Sequence, residues 1–163
     1  MPVGLGAVAP DFDLSDQHGQ RRRLSALRGR NVLLMFFPLA FSGLCAGELC
    51  ELRDDLASFV NEHTATLAVS VDSPYAVRVF AEQEGYTFPL LSDFWPHGEV
   101  AGRYGVFNSE RGFANRASFI IDAEGIVRYA LVNGPGEPRD ADEYRRVLAG
   151  LAPAAPSAIC STA

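Results

Sequence analysis

At 163 residues with a formal charge of −6, the chain has the length of one ordinary domain and the wrong sign for a general nucleic-acid binder, which needs clustered positive charge. Hydrophobic residues make up 48% and charged residues 21%, normal for a soluble globular protein, and the longest apolar run, Val32 to Ala40, is interrupted at Pro38 and too short to cross a bilayer. Met1 to Pro10 carries no basic start followed by an apolar stretch, so no secretory signal is read and the expected compartment is the cytoplasm.

In chain order, Asp11 to Leu14 alternates and Gln17-His18-Gly19-Gln20 is a turn signal, which predicts a β-hairpin over about residues 11 to 24. Its arginine run, Arg21-Arg22-Arg23, reads as a solvated strand edge. Ser25 is placed to cap a short helical turn before Gly29. Asn31 to Phe37 is nearly continuous in apolar residues, as a strand covered on both faces must be. A helix follows, with Leu49, Leu52, Leu56, Phe59 and Val60 as its inward stripe and His63 in its last turn. Thr66 to Val71 is a second buried strand. Pro74 opens the next helix, whose inner residues are Val77, Phe80 and Ala81 and which ends at Gly85. Phe88 to Leu91 is a short extended piece, then a loop rich in aromatic and turn residues runs from Ser92 to Gly98, and a short helix reaches about Tyr104. Phe94 and Trp95 are expected to pack in that loop, at an interface, or as an apolar rim. Ala117 to Asp122 and Ile126 to Val132 flank a tight turn with a glycine, an antiparallel hairpin. The last helix spans about Asp140 to Leu151. Residues 1–151 thus form a single domain, and the Pro/Ala/Ser-rich residues 152–163 are expected to be disordered. Strands alternating with helices predict parallel inner strands, with the closing hairpin as an antiparallel edge. The fold class is α/β: a thioredoxin-like arrangement with an N-terminal β-hairpin and a central mixed sheet flanked by helices.

Cysteines stand at positions 45, 50 and 160, a pattern unlike an extracellular disulfide framework. With no CxxC, and with His18, His63 and His97 far away in sequence, nothing asks for a metal. The informative stretch is Phe36-Phe37-Pro38-Leu39-Ala40-Phe41-Ser42-Gly43-Leu44-Cys45, where a buried strand stops, a loop follows and a serine opens a helix. N–H groups in the first turn of a helix lack intrahelical partners, and the dipole there is positive, so a thiol at that place is pushed toward thiolate. Cys45 is therefore a nucleophile by position. Ser42 is able to cap the helix or donate to a substrate oxygen. Glu48 suits the helix start or holds an arginine. A drop of ~2 pKa units would correspond to roughly 2.7 kcal/mol, within reach of a helix terminus plus a cation.

Pro38 to Cys45 resembles the PxxxTxxC signature of peroxiredoxins, with serine in place of threonine. Ala9-Pro10-Asp11-Phe12 is similar to that family's N-terminal strand, and Asn115-Arg116-Ala117-Ser118-Phe119 to the strand bearing its active-site arginine. Phe36 to Phe41, Phe88 to Gly98 and Pro135-Gly136-Glu137 resemble the actinobacterial alkyl hydroperoxide reductase E group, over about residues 3 to 150. That group is described as one-cysteine; here Cys50 adds a C-x4-C pair like that of the bacterioferritin-comigratory group, in which the second cysteine resolves the first.

The resemblance implies a thiol-dependent peroxidase acting on hydrogen peroxide and organic hydroperoxides through a cysteine sulfenic acid, with no cofactor. It implies Cys45 as nucleophile, Arg116 stabilising thiolate and transition state, Pro38 shielding the thiol, Ser42 donating to peroxide and Glu48 in support. An external thiol reductant is implied, mycoredoxin with mycothiol or thioredoxin, and a homodimer. Within one intact helix, Cys45 and Cys50 are separated by ~7.5 Å of rise and ~140° of rotation, so a disulfide between them requires the first turns to unwind, which Gly43 and Gly47 ease. Cys50 as a half-exposed helix thiol beside Arg53 and Asp54 is the competing reading, and Cys160 reads as incidental. Two other functions stand beside the peroxidase: a thioredoxin-like thiol–disulfide oxidoreductase, which the missing CxxC disfavours, and a peroxide sensor passing oxidation to a partner.

Overall fold

The computed structural model describes residues 2–41, 43–132 and 141–151, the side chains of residues 43–48 excepted. The expected hairpin forms from β1 (Asp13–Ser15) and β2 (Arg21–Arg23), followed by a 3-10 helix over Leu24–Leu27. Ser25 does not cap that turn; its N–H donates to the Asp11 carboxylate instead. Arg21 and Arg23 pair with Asp13, and Arg22 with Asp16, on the outermost strand, where charges guard an open edge against pairing with other chains.

Next come β3 (Asn31–Phe36), α1 (Gly43–Asp54), α2 (Leu56–Phe59), β4 (Thr64–Ser70), α3 (Pro74–Glu84), β5 (Leu90–Ser92), α4 (Glu99–Arg103), β6 (Phe107–Asn108), β7 (Phe113–Ala114), β8 (Ala117–Ile121), β9 (Val127–Val132) and α5 (Ala141–Leu151). Strands β2-β1-β5-β4-β3-β8-β9 make one mixed sheet, with β3, β4 and β5 parallel and β8 antiparallel to β3. The alternating side chains of β3 explain why its sequence is apolar from Val32 onward. Leu34 and Phe36 enter a layer with Leu67, Val69, Tyr104, Phe119 and Ile121; Leu33, Met35 and Phe37 enter the opposite layer. That second layer also holds Leu49 and Leu52 of α1, Phe80 of α3 and Tyr144 of α5.

One further expectation needs correction. The helix after Ser42 does not reach His63. It stops at Asp54, because Asp55 leaves the helical region and spends its carboxylate on Ser58 Oγ and Arg145, and His63 falls in the turn before β4. The closing hairpin forms the antiparallel edge that the sequence predicts, with β8 beside β3 and β9 outermost. The pair β6–β7, two residues per strand, gave no sequence signal. The last helix begins at Ala141; Asp140 and residues 152–163, including Cys160, lie outside the described residues. Among the described residues no helix is long and apolar enough to cross a membrane.

Candidate active site

Strand β3 ends at Phe36, and Phe37 still bonds to its neighbour, its N–H donating to the Val69 carbonyl at 3.0 Å. Pro38, half-buried, then turns the chain off the sheet. It has no N–H to offer a further ladder bond, which is why the strand stops there. The Ala40 N–H is taken by the Asp72 carboxylate at 2.7 Å. Phe41 sits at φ +68°, a left-handed conformation that bulky residues avoid, with its ring edge-on to Phe80 at 5.1 Å between centroids. Helix α1 begins two residues later, which makes Cys45 its third residue. Ser42 lies outside the described residues, as do the side chains of Cys45 and Glu48.

Arg116 comes to the same place from the far end of the sequence. β8 pairs with β3 so that Ala117 faces Phe36 and Ser118 faces Met35; Arg116 immediately precedes β8, next to the end of β3. Residues opposite each other in an antiparallel pair share a face, and Phe37, Met35 and Leu33 point into the layer that α1 packs on. Ser118 and Ile120 obey the same alternation: Ser118 Oγ meets Tyr144 OH at 2.6 Å in that layer, and Ile120 is part of it. Carried one residue beyond β8, the same alternation puts Arg116 on the α1 side, and the residue is 7% exposed. Burying a permanent cation costs several kcal/mol unless polar or anionic groups answer it, so such a placement is unusual away from a site that uses the charge.

Cys50 occupies the next part of α1. It is half-buried, with Sγ 3.5 Å from Tyr86 OH and 3.7 Å from Glu84 Oε1. It thus faces α3 and the turn after it; Asp54 has Arg53 as its partner. The Arg53 guanidinium donates to the Glu84 carbonyl and lies 5.9 Å from the centre of the Tyr86 ring. Burial, then the hydrogen bond with Cys50, push the Tyr86 phenol well above its ordinary range, so it stays protonated and able to donate. Tyr86 and Glu84 were not singled out in the sequence, because nothing local ties residues 34 and 36 positions downstream to a helix thiol.

Phe94 packs edge-on against His97 of the same loop, at 6.4 Å between ring centroids, and Trp95 stands out from it. They are 48% and 80% exposed, which keeps the interface and rim readings.

Residues 5–130 match the model of the AhpC/TSA family. The chain belongs to that family, the peroxiredoxins. It is 53% identical over 150 residues to alkyl hydroperoxide reductase E of Mycobacterium tuberculosis, covering 91% of this chain and 98% of that protein. Among solved structures, peroxidoxin BcpB from Mycobacterium tuberculosis superposes with a TM-score of 0.81 at 31% identity, over 91% of this chain and 98% of that one. AhpC of Enterococcus faecalis also gives 0.81, at 29% identity over 90% of each chain. The thioredoxin-like fold is therefore the peroxiredoxin variant of it, and the protein is a thiol-dependent peroxidase.

Proposed function

We propose that this peroxiredoxin reduces hydrogen peroxide and organic hydroperoxides with Cys45 as the attacking thiolate. Sulfur bonds to one peroxide oxygen as the O–O bond breaks; the other oxygen leaves with the electron pair and takes a proton, giving water or an alcohol and a Cys45 sulfenic acid. Charge grows on the leaving oxygen, so fixed donors and cations near it lower the barrier. Arg116 supplies that charge and favours thiolate over thiol. Ser42 donates to a peroxide oxygen, Pro38 shields the sulfur from bulk water, and Glu48 holds the guanidinium in place. The observation that supports this reading is the burial of Arg116, 7% exposed, immediately before the strand residue that pairs with the last residue of β3.

Cys50 then attacks the sulfenic sulfur, expelling water and forming a 45–50 disulfide, which an external dithiol such as mycoredoxin with mycothiol, or thioredoxin, returns to thiols in the cytoplasm. The apolar rim at Phe94 and Trp95 suits either organic peroxides or a second copy in a homodimer. Stopped-flow oxidation by peroxide, followed by intact mass after one equivalent, tests the scheme. Fast oxidation that Cys45→Ser abolishes, with loss of two hydrogens in the product, supports it. A persistent sulfenic or sulfinic acid on Cys45 removes Cys50 from the mechanism, and slow oxidation of the wild type favours a sensor.

A further inference from the structure

Resting on Cys45 as nucleophile, we propose that Asp72 is a positioning residue for it: its carboxylate clamps the loop over residues 38–41 in the strained shape from which α1 departs. Asp72 follows β4, the neighbour of β3 on the side away from β8. One carboxylate oxygen, Oδ2, accepts from the Ala40 N–H at 2.7 Å and from Ser70 Oγ at 2.7 Å. The Asp72 carbonyl accepts from Ser92 Oγ, on β5, at 2.6 Å. The side chain is thus aimed by β4, its main chain is held by β5, and what it grips is the loop leaving β3.

The obvious local role for such an aspartate is to cap the following helix, and it does not do so. Ser73 fills that place, its Oγ accepting from the Ala76 N–H at 3.2 Å, and Pro74 opens α3. The carboxylate instead reaches across 32 positions to Ala40. The residue after Ala40 is Phe41, a half-exposed aromatic at φ +68°, and a side chain with a Cβ stays there only when its surroundings hold it. The Phe80 ring holds one side of it. The charge-assisted bond to Ala40 holds the backbone immediately before it. Without the carboxylate, Phe41 relaxes toward negative φ and the start of α1 turns with it. Arg116, fixed to β3 through β8, does not follow, and the reacting sulfur loses its register with the guanidinium.

The test compares wild type, Asp72→Ala, Asp72→Asn and Ser70→Ala by stopped-flow oxidation with hydrogen peroxide and by the pH midpoint of Cys45 alkylation with iodoacetamide, mapped by mass spectrometry. Circular dichroism and melting establish that each variant is folded. Asp72→Ala is expected to lose roughly ten- to hundredfold in the peroxide rate constant and to move the alkylation midpoint upward. Asp72→Asn keeps an acceptor oxygen and should recover to within about threefold of wild type, and Ser70→Ala should fall between. Folded Asp72→Ala with a wild-type rate and midpoint overturns the proposal. So does Asp72→Asn as slow as Asp72→Ala, since charge rather than the bond would then matter. If Asp72→Ala does not fold, Ser70→Ala decides: slowed with a raised midpoint it supports the clamp, and unchanged it overturns it. Cys45→Ser runs alongside. Peroxide oxidation persisting there sinks the nucleophile assignment and the clamp together, whereas its loss there beside a wild-type Asp72→Ala sinks the clamp alone.

Discussion

Replacing Gly47 by alanine puts the resolving step to a quantitative test. In an unbroken α1 the Cα atoms of Cys45 and Cys50 are about 8.6 Å apart by helix geometry, beyond the span a disulfide bridges. One of the two must move. Leu49 and Leu52 are each 1% exposed in the core layer under α1, and extracting one such side chain costs about 1.5–3 kcal/mol, so residues beyond 48 stay in place and Cys50 keeps its contact with Tyr86. The opening segment is then 43–48, and Gly47 lies inside it. Glycine to alanine in a helix interior stabilises the helical state by about 0.8–1.0 kcal/mol. If opening is a pre-equilibrium before disulfide formation, the disulfide should appear about four- to fivefold more slowly in Gly47→Ala. Rapid acid quench, dimedone trapping of sulfenic acid and intact mass against time give the rate directly. Formation of the sulfenic acid serves as the internal reference and should keep its wild-type rate. An unchanged or faster disulfide step, with that reference intact, would show that the first turns of α1 do not open to let the thiols meet.

Arg116→Ala should raise the Cys45 pKa by about one to two units and slow peroxide oxidation at pH 7, read from the pH dependence of the stopped-flow rate; Arg116→Lys should recover only part, because a point charge replaces a fork of donors. An unaltered profile in Arg116→Ala would remove the guanidinium from the mechanism. Tyr144→Phe leaves the fully buried Ser118 hydroxyl without its 2.6 Å partner and should cost about 1–3 kcal/mol in urea unfolding. Acid should destabilise the fold through two aspartates. Burial opposes ionisation of Asp16, but the Arg22 guanidinium and the His18 and Gln20 N–H groups outweigh it and hold its carboxyl below the usual range. Burial likewise opposes Asp122, and the Ile126 and Glu124 N–H groups with Arg128 win in the same way. Both therefore release protons more readily folded than unfolded; their stabilisation is complete above about pH 4 and is lost as pH falls through the folded values. Asp122→Asn should flatten the fall in urea midpoint between neutral and acid pH, and an equally steep curve would refute that share. Asp93 works in the opposite sense, since burial lifts its carboxyl above the usual range despite N–H bonds from Ala101 and Val100, so its contribution shrinks as pH rises through that value.

What the sequence made legible was whatever local chemistry decides. Asn31 to Phe37 reads as a strand buried on both faces because each of its faces meets its own apolar layer. Helix α3 was marked at both ends, by Pro74 and by Gly85, which takes φ +74°. Hidden from it were features set by partners distant in sequence. Asp55 breaks the long helical stripe because Arg145, 90 positions on, takes up its carboxylate. Gln17 reads as a turn residue, yet its side-chain amide bridges the Phe88 carbonyl and the Leu90 N–H and helps join the N-terminal hairpin to β5. Nothing local marks Asp72, because its target is the loop after the neighbouring strand.

The site follows from how the strands run. β3 and β4 are parallel, so the loop after Phe37 and Asp72 leave the sheet at the same carboxyl edge, where open α/β sheets place their ligands. β8 is antiparallel to β3, so its first residues, not its last, arrive at that edge, and Arg116 gets there without a long loop. Parity decides the rest. A one-residue slip between β8 and β3 would bring Ala117 opposite Phe37 and turn the guanidinium to the layer of Tyr104 and Phe119, away from α1. Ser118 and Tyr144 oppose that slip, because it would carry the Ser118 hydroxyl off the α5 face and break their buried bond. In the mechanism proposed above, the contact that holds β8 in register is therefore also what keeps the cation on the α1 side.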